Sequence, residues 1–84
     1  MQVRTARIRP ARVATGTRHG ITVVLNMAEL SWIGETVAFV TYNDEGAVTN
    51  VRWVWEGTAR QKAALKKFAE AYGVANLEVN GALA

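Results

Sequence analysis

The sequence predicts an α+β fold: a small twisted antiparallel sheet of about four strands in β-β-β-β-α order, with one amphipathic helix on one face. Three observations predict it. β-branched runs bounded by turn residues fill the first two thirds of the chain, an Asp-Glu-Gly turn at residues 44–46 separates two clear strands, and a capped helical segment follows. Since 84 residues have room for one hydrophobic core, residues 1–84 are expected to form a single small domain.

The first two strands are expected to form a hairpin. Residues 3–8 alternate loosely and are followed by Pro10, which lacks a ladder donor and so indicates a bend or the end of a strand. A strand restarting at residues 12–15 would then lead into a glycine-bracketed loop at residues 16–20. The β-branched run at residues 21–25 has the length of a buried strand, and it is expected to pair with the strand before the loop.

Residues 26–29 read Asn-Met-Ala-Glu, which has the form of a capping box at the start of a helix. This pattern predicts a short helical turn over residues 27–32 that ends at Gly34. Trp32 lies at the end of that turn. The sequence leaves two roles open for it: packing in the core, or projecting as an aromatic anchor for a partner.

The clearest hairpin joins residues 35–43 to residues 47–56. Glycine at the third position of the loop suits a type I turn with a G1 bulge, which would pair Asn43 with Ala47 and therefore Phe39 with Val51. In that register the face directed at the helix carries Val37, Phe39, Val51, Trp53 and Trp55. The opposite face carries Ala38, Val40, Tyr42, Val48, Asn50, Arg52 and Val54. This second face is too apolar to stay fully hydrated.

One helix is predicted over residues 59–72. Thr58 and Gln61 have the spacing of a capping box, and Gly73 is placed to end the helix. An apolar stripe at helical spacing is predicted to pack on the sheet: Leu65, Phe68, Ala69 and Tyr72. After the helix, Val74, Leu77 and Val79 indicate a short C-terminal strand or an extended tail, and the Gly-Ala-Leu-Ala end is expected to fray.

Charge is distributed unevenly along the chain, although the net charge is only +3. Residues 1–20 contain five arginines and no carboxylate, so they form a basic N-terminal arm. Residues 21–58 carry a net charge of −4, from one arginine and five carboxylates, and residues 59–84 carry +2. An arm of like charge requires solvent or an anionic partner.

The inventory of reactive side chains argues against an enzyme. The chain has one histidine (His19), one serine (Ser31) and no cysteine, and its carboxylates are scattered over turns and strand ends. We therefore expect no catalytic residues, no cofactor and no metal site. The apolar runs are far shorter than the roughly 20 residues of a membrane span, and no signal-peptide pattern is present, so a soluble cytoplasmic protein without a membrane partner is expected.

The first functional hypothesis is a nucleic-acid-binding module that uses the basic arm and one face of the sheet. Arginine presents a planar fork that matches phosphate. On the second face of the hairpin, Asn50 and Tyr42 would lie against the nucleic acid. The candidate phosphate-binding residues are Arg4, Arg7, Arg9, Arg12, Arg18 and Arg52.

The second hypothesis is a protein-interaction module: a homodimer, or a small inhibitor or adaptor of the kind that phages and mobile elements carry. The inhibitor or adaptor would bind an acidic surface of a larger protein, for example a nucleic-acid-processing enzyme. The surplus apolar face of the hairpin would form the interface, through Val40, Tyr42, Val48, Val54 and Trp32. The arginines would then pair with Glu35, Glu56 or the acids of another protomer. Salt-dependent binding to nucleic acid, measured together with the oligomeric state, separates the two hypotheses.

Overall fold

The computed structural model describes the backbone of residues 4–73 and 78–83, and within these ranges all side chains except those of residues 4, 13–18, 21–25, 82 and 83. The elements are β1 Arg4–Arg18, β2 Ile21–Trp32, β3 Glu35–Tyr42, β4 Val48–Trp53, α1 Ala59–Tyr72 and β5 Val79–Leu83. They form one antiparallel sheet of order β4-β3-β2-β1-β5, with α1 on one face. The predicted α+β fold class is confirmed.

Strands β1 and β2 form the predicted hairpin, but with a tighter loop than expected. The glycine-bracketed segment is not a loop, because β1 continues to Arg18 and pairs there with Ile21. His19 and Gly20 alone make the turn, with φ of 52° and 77°. Two residues with positive φ are what a type I′ turn requires, and its twist matches that of the flanking strands.

The predicted helical turn over residues 27–32 is wrong. Residues 26–32 belong to β2, and they pair with β1 on one side and with β3 on the other. The capping-box pattern is local, whereas these residues complete backbone hydrogen bonds on two sides in the middle of a sheet. Ile33 and Gly34, with φ of 52° and 77°, then turn the chain into β3.

The β3–β4 loop has the predicted form, but the strand register does not. The Asn43 amide donates to the Ala47 carbonyl at 2.9 Å, and Gly46 has a φ of 89°. Beyond Val48, however, Thr49 is an extra residue in β4, and its hydroxyl donates to the Thr41 carbonyl at 3.1 Å. This bulge moves every later pair by one residue.

The observed register exchanges the two faces of β3 relative to those of β4, where Val51 and Trp53 stay against the core as predicted. Val40 now lies opposite Val51, and Phe39 lies opposite Arg52. As a result Val40 and Tyr42, predicted to face a partner, are fully buried beneath α1, whereas Phe39 lies on the face away from the helix. Val37 stays in the core because a second bulge, beside the Leu30 pair, places it next to buried Ala38.

Helix α1 has the predicted bounds and packs through the predicted stripe. The Thr58 hydroxyl accepts from the Gln61 amide at 3.1 Å, and the Gln61 side chain accepts from the Thr58 amide at 2.9 Å. The helix ends at Gly73 as predicted; its φ of 63° is positive, but its ψ of −176° differs from that of a left-handed helical residue. The stripe is buried at Leu65, Phe68 and Ala69.

Residues Val79–Leu83 form the short C-terminal strand, which was one of the two predicted alternatives, and it lies at the edge of the sheet. Strand β5 pairs with residues 4–8 of β1, which places Gly81 opposite Ala6. A side chain at Gly81 would overlap the Phe68 ring, so the glycine lets the edge strand approach the helix. Val74 and Leu77, part of the same prediction, lie outside the described residues.

Candidate functional site

The face of the sheet opposite α1, called the open face below, has no element packed over it among the described residues. Its side chains form three rows that cross the strands. The rows are Asn80–Arg7–Ser31–Thr36, Arg9–Glu29–Phe39–Arg52 and Arg12–Met27–Thr41–Asn50. Among the described side chains, these three rows carry four guanidinium groups and one carboxylate.

A bulge in β1 is the reason that three arginines of the N-terminal arm share this face. Pro10 pairs with Ala28 and Arg12 pairs with Met27, so Ala11 is an extra residue between them. Without the bulge, strict alternation would direct Arg12 to the face opposite Arg7 and Arg9. The extra residue returns the Arg12 side chain to the face of Arg7 and Arg9. The sequence analysis did not predict this bulge.

Arg9 and Glu29 form the ion pair of the central row. The Arg9 Nη2 atom lies 3.1 and 3.0 Å from the two Glu29 carboxylate oxygens, and its Nε lies 3.3 Å from the second of them. The hydroxyls of Thr36 and Ser31 also donate to the Glu29 carboxylate. The hydrogen bond from Thr36 is the main reason that the pKa of Glu29 is lowered. The hydrogen bonds and the positive charge of Arg9 act in the same direction, whereas burial acts to raise this pKa.

The pairing of the arm with Glu35 or Glu56, which the second hypothesis predicts, is not observed among the described side chains. The two ion pairs among the described side chains are Arg9–Glu29 and Lys66–Glu70, the latter within α1. Arg7, Arg12 and Arg52 are thus exposed guanidinium groups that pair with no described carboxylate. They remain available to an external anion.

Two shallow depressions lie on the open face. One, of about 360 Å³, surrounds the Arg9–Glu29 pair, between Arg7 and Thr36. The other, of about 320 Å³, has Met27 and Phe39 as its apolar floor and Arg12 and Arg52 on its rim. Arg12 is held against the floor, since its Nε lies 3.4 Å from the Met27 sulfur. Thr41 and Asn50 supply polar groups to the same depression.

The structure brings together four of the six predicted phosphate-binding residues. Arg7, Arg9, Arg12 and Arg52 lie on the open face together with Asn50. The backbones of Arg4 and Arg18 form the two ends of β1, but their side chains are outside the described part of the structure. Tyr42, predicted to accompany Arg52, lies on the other face instead.

The predicted partner interface belongs mainly to the protein's own core. Val40 and Tyr42 are fully buried, and Val48 packs against the same core. Trp32, whose exposure the sequence left open, is buried and meets the Trp55 ring edge-on at 5.6 Å. Val54, with 47% of its surface exposed, is the member that stays at the surface. The apolar face needed no second protomer, because the bulge at Thr49 turned it toward α1.

Several residues of the open face were not predicted as site residues, among them Phe39, Glu29 and Met27. Phe39 was assigned to the core, and Glu29 and Met27 were assigned to a helical turn. The signal for Glu29 was the spacing of two with Ser31 and Met27, which is typical of one face of a strand. The signal for Phe39 was that it shares a strand face with the polar residue Thr41. The alternate positions form the more apolar series: Ala38, Val40 and Tyr42.

The described residues contain no group of three or more metal-ligating side chains, and no described helix combines the length and apolar character needed to cross a membrane. Comparison of the chain with protein-family models, curated proteins and solved structures finds no match.

Proposed function

We propose that this protein is a non-enzymatic nucleic-acid-binding module and that it binds through the open face. The observation that carries the proposal is the convergence of four arginines on one face, whose described side chains include a single carboxylate: Arg7, Arg9, Arg12 and Arg52. These arginines come from β1 and β4, which are separated by two strands, so the positive charge extends across the sheet.

The chemistry of the face fits phosphate better than an isolated carboxylate. At a strand spacing of about 4.8 Å, the backbones of Arg9 and Arg52 lie about 14 Å apart across the central row. A polyanion with regularly spaced charges can reach several such groups at once and release counterions from each contact. Exposed guanidinium groups also bind phosphate through two parallel hydrogen bonds.

The test is binding to nucleic acid as a function of salt. For the wild-type protein, log affinity should fall linearly with log salt, at about 0.9 per phosphate contact on duplex DNA or about 0.7 on single strands. The double variant Arg7→Ala/Arg12→Ala should flatten this slope by roughly one unit per lost contact, and weaken binding without regard to sequence.

The matched control removes two positive charges from the other side of the molecule. Arg60 and Lys67 are exposed on α1, so Arg60→Ala/Lys67→Ala changes the net charge equally but leaves the open face intact. We expect this control to bind almost as the wild type does. Equal weakening by both double variants would mean that binding follows net charge alone, and would contradict the assignment of the site.

An acidic protein surface is the alternative partner for the same arginines. The hypothesis of an apolar protein interface has lost its main support, because α1 covers that face. Absence of detectable nucleic-acid binding even at low salt would overturn our proposal, and would leave the open face to an acidic protein.

A further inference from the structure

We infer that the ligand of the open face is a single strand of nucleic acid, and that one unstacked base lies on the Phe39 ring between Arg12 and Arg52. The inference rests on the proposed function and names the class of nucleic acid. The observation behind it is the apolar floor of the smaller depression, which Phe39 and Met27 form. A face that binds phosphate alone has no use for these two apolar side chains.

The position of Phe39 favours a single strand over a duplex. Phe39 lies on β3, flanked by Glu29 of β2 and Arg52 of β4. For the Phe39 ring to reach the bases of a duplex, β2 and β4 would have to enter a groove together with β3, with the open face toward the bases. The major groove is about 12 Å wide and admits a helix or a two-stranded ribbon, whereas the four strands from β1 to β4 span about 14 Å between their outer backbones. In a single strand the bases can turn toward the sheet.

The depression has the size and chemistry of a site for one base. Its volume is about 320 Å³, near the lower limit of ordinary small-ligand pockets, which is about 300 Å³. The aromatic floor can stack on a base of any identity. Arg12 and Arg52 on the rim are placed to bind the phosphates on either side, and Asn50 and Thr41 offer polar groups to the base edge.

The experiment compares ligands that differ from a thymidine oligonucleotide in their bases, their sugar or their strandedness. Wild-type affinity is measured for a thymidine oligonucleotide of about 12 nucleotides, within the usual site sizes of about 4–16. The comparison ligands are an abasic strand of the same length, a uridine RNA strand and a duplex. We expect the thymidine strand to bind more tightly than the abasic strand and the duplex, and the RNA arm to show whether the sugar matters.

The matched variants test Phe39 itself. Phe39→Ala should weaken binding to the thymidine strand by roughly 5- to 150-fold, which is the usual effect of losing one stacked base. It should change binding to the abasic strand little and leave the salt slope unaltered. Phe39→Leu keeps an apolar side chain and serves if the alanine variant is unstable. It should lose most of the preference for the thymidine strand over the abasic strand, whereas Phe39→Tyr should retain that preference.

The outcomes separate this inference from the proposed function. Equal wild-type affinity for thymidine and abasic strands, duplex binding as tight as single-strand binding, or no loss of affinity in Phe39→Leu would each overturn the inference while leaving phosphate binding by the arginines intact. Failure of every ligand to bind at low salt would overturn both proposals.

Discussion

The two faces of the sheet are built from the same strands, yet they have opposite chemistry. The face beneath α1 carries fully buried apolar side chains, among them Ile8, Leu30 and Val40. The open face carries arginines at the adjacent positions, for example Arg7 and Arg9 on either side of Ile8. Because a one-residue change of register would exchange the two faces, the same bulges that determine the core also determine the site.

This difference predicts that substitutions on the two faces will affect different measurements. On the helix-covered face, the free energy of unfolding should fall and binding should change only through unfolding. On the open face, binding should change while the free energy of unfolding stays within about 0.5 kcal/mol, as is usual for surface positions. Four substitutions test this contrast.

The largest effect is expected at Leu65, which is fully buried between α1 and the sheet. Leu65→Ala should lower the free energy of unfolding by about 2–5 kcal/mol, because it removes packed methyl groups and leaves a cavity. Denaturant unfolding measures this loss. Lys67→Ala, exposed two residues further along α1, is the control and should leave the midpoint almost unchanged. An unchanged midpoint for Leu65→Ala would show that α1 does not pack as described.

Gly81→Ala should lower the free energy of unfolding by about 1–3 kcal/mol, the usual cost of overpacking. The new methyl group would overlap the Phe68 ring, so β5 and α1 would have to move apart. Its neighbour Asn80 lies on the open face opposite Arg7, and Asn80→Ala is the control. Thermal unfolding of the two variants compares the faces at adjacent positions, and equal midpoints would contradict the packing of β5 against α1.

Tyr42→Phe should lower the free energy of unfolding by about 1 kcal/mol at neutral pH. It removes the hydrogen bond from the Tyr42 hydroxyl to the Ala69 carbonyl, which is 3.1 Å long and joins the sheet to the helix. The circular-dichroism signal during urea unfolding gives the change. A variant as stable as the wild type would show that this bond contributes nothing to helix packing.

Tyr42 also predicts a loss of stability in alkali. Burial raises its pKa to about 12 from the ordinary value of 10. The unfolded protein therefore releases this proton first, and the stabilising contribution, fully present below pH 10, is lost as the pH rises toward 12. Tyr42→Phe should remove this part of the pH dependence. Ultraviolet titration that detects Tyr42 ionising near pH 10 in the folded protein would contradict its burial.

The smallest effect on stability is expected for Glu29→Gln, on the open face. The lowered pKa of Glu29 means that its contribution is present above the ordinary value of 4.5 and is lost as the pH falls through the folded-state pKa. The variant should therefore lose less stability in acid than the wild type, in a comparison of thermal midpoints across that pH range.

Glu29→Gln should at the same time strengthen nucleic-acid binding, because it releases Arg9 from its ion pair. The salt slope should become steeper by about 0.7–0.9, the value of one further phosphate contact. Thr36→Val, which removes a hydroxyl that donates to Glu29 but keeps the carboxylate, is the control and should change the slope little. Weaker binding by Glu29→Gln would show that the Arg9–Glu29 pair itself forms part of the ligand site.

The sequence by itself determined the local features of this protein. The bounds of α1, its capping box and its buried stripe follow from residues three or four positions apart, and the Asp44-Glu45-Gly46 loop follows from the backbone freedom of Gly46. The α+β class and the clustering of arginines in the first twenty residues are likewise properties of neighbouring residues. These features required no knowledge of which strand pairs with which.

The tertiary structure alone decided which side chains share a face. The bulges at Ala11 and Thr49 each add one residue to one strand, and each changes the phase of everything beyond it. The physical reason is that the side-chain period of a strand is two residues, so a single extra residue reverses its orientation. The pairing of whole strands across the sheet determines where the extra residue is accommodated. It thereby buried Tyr42, turned Phe39 to the open face and placed Arg12 on the same face as Arg9.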